Sequence, residues 1–194
     1  MESIKEDIIV RRAEKRDISG IMNVACSQGR INKDYRAGFL MDDYVSDYDY
    51  FNERFLALID KLHYFYVIEN GTVLGFLIAY DKEEWLIRNQ NWFDDIVWNP
   101  EFDRKLTDSF ILVDKTAILS GITGKGLGSR LYDALIKDMK SDGINNMFAE
   151  TIISPFPNFA SLEFRVKQKY KLAGIRYEHY KDKLYTDLMY YKTV

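Results

Sequence analysis

The chain has 194 residues, of which 47% are hydrophobic and 29% are charged, and its formal net charge is −3. This length and composition fit one folded domain with a sizeable core and exclude wholesale disorder. A net negative chain without a basic tract is a poor match for nucleic acid. Because there are one cysteine and two histidines, an internal disulfide framework is excluded and we expect no metal site.

The amino-terminal residues and the hydropathy pattern predict a cytoplasmic protein. Residues 1–7 lack the apolar core of a signal peptide. No uninterrupted apolar run has the length that a membrane-spanning helix needs. We therefore expect no membrane partner.

In the first half of the chain, hydrophobic periodicity predicts three strands and two helices. Asp17 is a suitable N-cap for the first helix, and Asn70-Gly71 is a strong hairpin signal. In chain order the elements are a strand at 8–10, a helix beginning at Asp17, a helix with its apolar face at 51–62, and strands at 63–68 and 73–80.

Residues 81–108 are predicted to form a polar and aromatic insert that contains Trp85, Trp92 and Trp98. Acidic residues mix with aromatic ones in this insert and again at 42–50. Such surfaces suit a cationic amine, through charge and through cation–π contact. The alternative is a set of solvated loops held by aromatic anchors.

The second half of the chain predicts a mixed sheet with helices. The order over the whole chain is a strand, two helices, three strands, a helix, a strand, a helix and two strands, which predicts a one-domain α/β sandwich over 1–194. The later elements are strands at 110–118 and 146–153, helices with apolar faces at 127–139 and 160–167, and a strand pair at 171–178 and 184–192.

A glycine-rich turn, Thr123-Gly124-Lys125-Gly126-Leu127-Gly128, lies between the strand at 110–118 and the helix that follows. The first turn of a helix has backbone N–H groups without intrahelical partners and carries a partial positive charge, so it attracts anions. The glycines remove side chains that would keep a phosphate away, and Lys125 adds a cation. This pattern predicts a phosphate-binding loop; the alternative is a tight turn without a ligand.

The spacing of this turn disfavours two common nucleotide loops. A P-loop needs Ser or Thr directly after its Lys, whereas Lys125 is followed by Gly126. A dinucleotide fingerprint needs G-x-G-x-x-G near the first strand, whereas these glycines read G-x-G-x-G and lie past mid-chain.

Two runs of sequence resemble the GNAT superfamily of N-acetyltransferases. The run 123–128 is similar to the family's acyl-CoA loop, Arg/Gln-x-x-Gly-x-Gly/Ala, with Thr123 in place of Arg or Gln. The run 158–174 is similar to the family's Asn-x-x-Ser-x-x-Leu-(Tyr/His)-x-Lys-x-Gly-Phe-x-x-x-Gly, and most so to the phosphinothricin and small-amine branch. The resemblance covers the chain except 31–62 and 81–108, and it implies a GNAT fold and acetyl-CoA-dependent activity.

The resemblance also implies cofactor contacts. The coenzyme A pyrophosphate is expected on the amides of 123–129, and the thioester carbonyl beside the backbone near Ile118. Arg165 stands where many members carry a Tyr that protonates the departing thiolate. Because arginine cannot act as a general acid, it would stabilise the thiolate or a phosphate instead. The expected cofactor-binding residues are Ile118, Leu119, Thr123, Gly124, Lys125, Gly126, Leu127, Gly128, Ser129, Asn158, Ser161 and Arg165.

Three residues are candidates for proton transfer. Glu150 is the preferred base, because its strand borders the cofactor cleft in the family, and Asp114 is the other candidate; an exposed or salt-bridged carboxylate is the alternative for each. Tyr170 is the candidate proton donor if its helix is shifted by about a turn. Otherwise it occupies the family's buried Phe position.

The resemblance therefore predicts direct transfer of an acetyl group from acetyl-CoA to a primary amine of a small molecule, without a covalent acyl-enzyme. Two alternatives stay open, which are acetylation of a protein N-terminus or lysine, and a non-catalytic acyl-CoA-binding module. Because members of the family commonly form homodimers, the resemblance also implies a homodimer.

Overall fold

The computed structural model describes residues 8–28 and 36–194, and over these ranges it has eight strands and five α-helices. The strands are β1 Ile9–Arg12, β2 Tyr64–Glu69, β3 Val73–Asp81, β4 Ile96–Trp98, β5 Ile111–Ile118, β6 Asn146–Ser154, β7 Lys171–Tyr180 and β8 Lys183–Thr193. The helices are α1 Ile18–Gln28, α2 Tyr48–Lys61, α3 Lys82–Arg88, α4 Leu127–Ser141 and α5 Phe159–Lys167.

The strands form one mixed sheet in the order β1-β2-β3-β5-β6-β8-β7-β4. β5 and β6 pair in parallel, whereas β1 with β2, β6 with β8, β7 with β8 and β4 with β7 are antiparallel. The mixed α/β sheet predicted from the sequence is confirmed. The Asn70-Gly71 turn between β2 and β3 also forms, and Gly71 takes the positive φ of 85° that such a turn requires.

The segment 81–108 differs from its prediction, because it contains α3 and β4 and contributes to a core. Asp81 caps α3 by accepting the amide of Glu84, and Glu84 in turn reaches the amide of Asp81. This reciprocal capping box was readable in the sequence Asp-Lys-Glu-Glu. Trp92 is only 1% exposed, so it is not part of an amine-binding surface.

The predicted N-cap of the first helix is wrong. Glu14 caps a short 3-10 turn that precedes α1, and Asp17 is the last residue of that turn. The Asp17 carboxylate accepts the Glu14 amide at 2.8 Å and pairs with both terminal nitrogens of Arg11 at 2.7 and 2.8 Å. Asp17 therefore ties the entrance of α1 to β1.

The described chain divides into two compact units, and the first comprises residues 8–28, 39–78 and 115–135. Its core combines the buried faces of α1 and α2 with the fully buried run of β2. Aromatic rings line this core. Tyr44 and Phe55 are stacked with 5.8 Å between their centroids, and the rings of Phe55 and Phe76 are tilted with 5.7 Å between theirs. Tyr44, which the sequence placed in an acidic aromatic surface, is therefore a core residue.

The second unit comprises residues 36–38, 79–114 and 136–194. Its core is built around Trp92, which stacks on Phe110 at 5.4 Å and meets Phe148 edge-on at 6.1 Å. The buried residues of this cluster are Trp92, Ile96, Phe102, Phe110, Leu112, Phe148, Ala173 and Met189. Within the described ranges, no helix combines the length and hydropathy needed to cross a bilayer.

Candidate active site

The glycine-rich turn keeps an open backbone surface. Gly121, Gly124 and Gly126 have φ values of 86°, 79° and 81°, a region that other residues rarely adopt. At each of the three, a Cβ would meet no heavy atom of the described chain within 4 Å, chain neighbours aside. None of the described residues therefore fills the space in front of these three glycines.

This turn leads directly into α4, which begins at Leu127. The first hydrogen bond of the α-helical type is made by the backbone N–H of Arg130, which donates to the carbonyl oxygen of Gly126 at 3.2 Å. The earlier amides of a helix have no acceptor within it, and their dipoles add a partial positive charge. Lys125 is exposed beside them. The turn therefore offers open backbone and a nearby cation at a helix start, and its binding of a phosphate stays a prediction.

At the end of β5, successive backbone N–H groups point in opposite directions. Leu119, the residue after β5, donates its N–H to the carbonyl of Leu74 on β3 at 2.8 Å. Because adjacent strand residues direct their backbone groups to opposite edges, the Ile118 N–H points away from β3. An N–H in that position can stabilise a carbonyl oxygen as it becomes negative.

Two side chains at the end of α1 hold this junction, and neither was predicted from the sequence. Gln28 donates its side-chain amide to the Ile118 carbonyl at 2.6 Å. The Ser27 hydroxyl accepts the backbone N–H of Ser120 at 3.2 Å. These bonds join residues about 90 positions apart, so no local spacing pattern reveals them. They fix where β5 ends and the glycine-rich turn begins.

β5 and β6 share only a short ladder, which joins Ile111–Val113 to Met147–Ala149. Beyond it, β6 continues against β8 as far as Ser154. Asp114, the second base candidate, is the first residue of β5 past that ladder. The strand then runs on to Ile118.

Glu150 lies on β6 in a network of charges. Both oxygens of its carboxylate accept hydrogen bonds from Arg176 Nη1, at 3.0 Å each. Its Oε1 also accepts the Trp92 indole N–H at 2.8 Å. Burial raises the pKa of Glu150, although the positive charge of Arg176 and the Trp92 hydrogen bond oppose that rise. The salt-bridged alternative considered for Glu150 is thus the arrangement found, and its role as a base stays a prediction.

Tyr170 and Arg165 lie on the other face of β6. The Tyr170 hydroxyl donates to the sulfur of Met147 at 3.0 Å, and Arg165 Nε donates to the Thr151 hydroxyl at 3.4 Å. Side chains alternate along a strand, so Met147 and Thr151 face opposite to Glu150. Glu150 and Tyr170, the predicted base and proton donor, therefore lie on opposite faces of β6.

Arg165 is 6% exposed, and its guanidinium lies 5.1 Å from the centre of the Tyr170 ring. Tyr170 is 9% exposed, which agrees with the buried Phe position of the family run. The predicted contact of Arg165 with a phosphate would require this guanidinium to leave an aromatic and hydroxyl environment.

Asn158 and Ser161 form the start of α5. The Asn158 side-chain oxygen accepts the amide of Ser161 at 3.2 Å, which is a helix N-cap. Asn158 also donates its backbone N–H to the Ile152 carbonyl at 2.9 Å and is 7% exposed. The polar spacing Asn-x-x-Ser therefore has a structural purpose here, and its predicted contact with the cofactor stays a prediction.

Solved structures of similar fold are N-acetyltransferases. The PaiA N-acetyltransferase from Thermoplasma acidophilum, in complex with coenzyme A, is 16% identical, with 97% of this chain and 99% of that chain covered and a TM-score of 0.64. A phosphinothricin N-acetyltransferase-like structure is 17% identical, with 97% and 99% covered and a TM-score of 0.59. The ribosomal-protein-S18-alanine N-acetyltransferase from Escherichia coli is 12% identical, with 97% and 94% covered and a TM-score of 0.60.

At these identities the structures establish the fold alone, and no curated protein matches the sequence. The model of the acetyltransferase (GNAT) family matches residues 30–164, which is more than half of the chain. That range includes the glycine-rich turn and Glu150. The predicted acyltransferase class is thereby confirmed, and the chain belongs to the GNAT acetyltransferase family.

Proposed function

We propose that this chain transfers an acetyl group from acetyl-CoA directly to the primary amine of a small molecule. The observation that carries the proposal is the open backbone surface of the glycine-rich turn at the start of α4, in a chain of the GNAT family. A neighbour of the same fold is in complex with coenzyme A, and another resembles a phosphinothricin N-acetyltransferase. These features support the small-amine reaction without naming the amine.

The thioester of acetyl-CoA supplies an acetyl carbonyl that is already activated, so the residues need to bind, orient and manage charge. An alkyl ammonium has a pKa near 10.4, and making it neutral at pH 7 costs about 4 to 5 kcal/mol. Holding two reactants in the right geometry can contribute about 7 to 11 kcal/mol. Positioning alone therefore offsets the deprotonation, and no covalent acyl-enzyme is required.

The proposed roles follow from the geometry of each unit. In the first, the amides of 123–129 and Lys125 hold the diphosphate, and the Ile118 N–H faces the charge that develops on the carbonyl oxygen. In the second, Glu150 is the proposed acceptor of the ammonium proton, because burial raises its pKa toward that of a useful base. The neutral amine nitrogen bonds to the acetyl carbon, the carbon–sulfur bond breaks, and the second proton that the nitrogen loses passes through water to the thiolate.

A positioned acid for that thiolate is unnecessary in this proposal. An ordinary thiol has a pKa of about 8.5, so its thiolate leaves far more readily than an alkoxide. The Tyr170 hydroxyl donates to Met147, and the Arg165 guanidinium does not release a proton at neutral pH. Both are better explained as packing residues of the face that carries α5.

One observation favours a second candidate, an acyl-CoA-binding module without catalysis. The position that many family members fill with Tyr holds Arg165, which is buried against Thr151 and Tyr170. Such a module would bind acetyl-CoA tightly and release no thiol.

The test is free-thiol detection with acetyl-CoA and a panel of primary amines, together with peptides that offer an α-amine or a lysine. We expect thiol release with small amines and a product heavier by one acetyl group by mass spectrometry. Tight binding without thiol release across the panel would replace the enzyme by the binding module. Turnover confined to peptides would move the acceptor to proteins.

A further inference from the structure

Four charged residues of the second unit lie on one face of the sheet, and we call them the carboxylate cluster: Glu150 on β6, Arg176 and Glu178 on β7, and Asp187 on β8. Arg176 stands directly opposite Asp187 in the β7–β8 register. Glu150 is opposite Met189, two residues from Asp187 on the same face. Three carboxylates thus share one guanidinium.

The guanidinium is committed to two of the three. Its Nη1 contacts both Glu150 oxygens at 3.0 Å, and its Nη2 contacts a Glu178 oxygen at 3.0 Å. Asp187 is 2% exposed, and its Oδ2 is buried without a hydrogen-bond partner among the described residues. The Nε of Arg176 is also buried, and no described residue accepts its N–H. A donor and an acceptor on facing residues are therefore both unsatisfied.

An unsatisfied buried donor or acceptor costs about 1 to 3 kcal/mol in general, so such groups are uncommon unless something compensates. Here the two groups are complementary to each other, and opposite residues on paired strands have Cβ atoms only about 5 Å apart. A proton on Asp187 explains why they stay apart, because it removes the charge that would draw the Nε–H.

We propose that Asp187 is a positioning residue whose protonation decides whether Arg176 serves Glu150 and Glu178 alone or also Asp187, and that it thereby sets the charge balance at Glu150. In the protonated arrangement, Arg176 neutralises Glu150 as found. When Asp187 loses its proton to solvent, its Oδ2 accepts the Arg176 Nε–H. Glu150 then shares its counter-ion with a second buried carboxylate and holds a proton more readily.

The charged and titratable groups around Asp187 agree with this arrangement. Burial and the negative charges of Glu150 and Glu178 raise the pKa of Asp187 to about 8, while Arg176 opposes the rise. Tyr185 lies on the same face of β8, opposite Glu178. The transition is therefore expected near pH 8. Its consequence for acetyl transfer depends on the proposed function, whereas the rearrangement itself does not.

The Trp92 indole, which donates to Glu150, reports the rearrangement without any activity measurement. In the protein labelled with ¹⁵N, the Trp92 indole resonance should inflect near pH 8, after assignment with Trp85→Phe and Trp98→Phe. Trp98 donates its indole N–H to the Phe93 carbonyl at 3.0 Å and is the internal control, with no inflection expected.

Two variants sharpen this titration. Asp187→Asn should abolish the Trp92 inflection. Glu178→Gln should keep it but move it to lower pH, because one of the negative charges that raise the pKa of Asp187 is gone. An inflection that persists in Asp187→Asn overturns the proposal. A ¹³C carboxyl titration of the unmodified protein decides it even if that variant fails to fold, since a midpoint for Asp187 near an ordinary value of about 4 also overturns it.

The kinetic arm separates this inference from the proposed function. The pH profile of kcat/KM for acetyl transfer should show a step near pH 8 that Asp187→Asn lacks. Turnover without that step, alongside a Trp92 inflection, refutes the link to Glu150. If no amine is acetylated, the proposed function fails, and the resonance titration still decides the rearrangement.

Discussion

The glycine-rich turn and the carboxylate cluster offer two opposite kinds of polar site. The turn is made of backbone, is exposed, and has open space in front of Gly124 and Gly126. The cluster is made of side chains, is largely buried, and is filled by its own ion pairs. A backbone surface can take up a ligand's charge at once, whereas the cluster must first rearrange. The difference predicts binding at the turn and proton control at the cluster.

The largest expected effect lies in the cluster. Glu150→Gln keeps the shape and removes the charge, so we expect a loss of about 10²- to 10⁴-fold in kcat/KM, the usual range for general acid–base catalysis. The acidic limb of the pH profile should disappear with it. The control is Glu101→Gln, at an exposed glutamate of the same unit that lies outside the cluster. An acidic limb unchanged in Glu150→Gln would remove Glu150 from the mechanism.

The next effect lies in the turn. Gly124→Ala places a Cβ in the open space that a diphosphate needs, and we expect about 10- to 100-fold weaker binding of coenzyme A, equivalent to about 1.4 to 2.8 kcal/mol. The measurement is isothermal titration calorimetry. Gly143→Ala is the matched control, because Gly143 follows the other end of α4 with a φ of 74° and equally open space. Equal losses in both variants would show backbone strain rather than lost contact.

A smaller effect is expected where α1 holds the end of β5. Gln28→Ala removes the 2.6 Å bond to the Ile118 carbonyl. A typical hydrogen bond contributes about 1 kcal/mol to stability, so the melting temperature should fall by about 2 to 4 °C. Because the end of β5 is then less well held, KM for acetyl-CoA should rise about three- to tenfold. Gln90→Ala, at an exposed glutamine of the second unit, is the control. A change in kcat alone would mean that Gln28 acts on chemistry rather than on the position of the turn.

The last expected effect is on stability against pH, rather than on binding or turnover. Because the pKa of Asp187 is raised in the folded state, that state keeps a proton which the unfolded chain has already lost between about pH 4 and pH 8. The free energy of unfolding therefore falls as pH rises through this window, by at most about 1.4 kcal/mol per pH unit. Urea unfolding at pH 5 and pH 8 measures it, and Asp187→Asn should flatten the slope. A slope that is the same in both proteins would place the proton elsewhere.

Local patterns in the sequence predicted the elements with short-range causes. The hairpin at Asn70-Gly71 and the helix from Leu127 after the glycines depend on residues within a few positions of each other. The capping box of Asp81 and Glu84 was equally local, although only the structure drew attention to it. The polar composition of 81–108 gave no indication of which of its apolar residues are buried, whereas in the structure Trp92, Ile96 and Phe102 of this segment belong to one buried cluster.

Sequence by itself determined the strand, the glycine turn and the helix start, because backbone conformation responds to near neighbours. Through its resemblance to the GNAT family it also predicted the enzyme class, which the family model supports. Tertiary structure alone decided how the side chains of Glu150, Arg176 and Asp187 meet, and that Tyr170 lies on the opposite face of β6 from Glu150. Those relations depend on strand register across residues far apart in sequence. A shift by one residue would exchange the faces, and no local pattern records it.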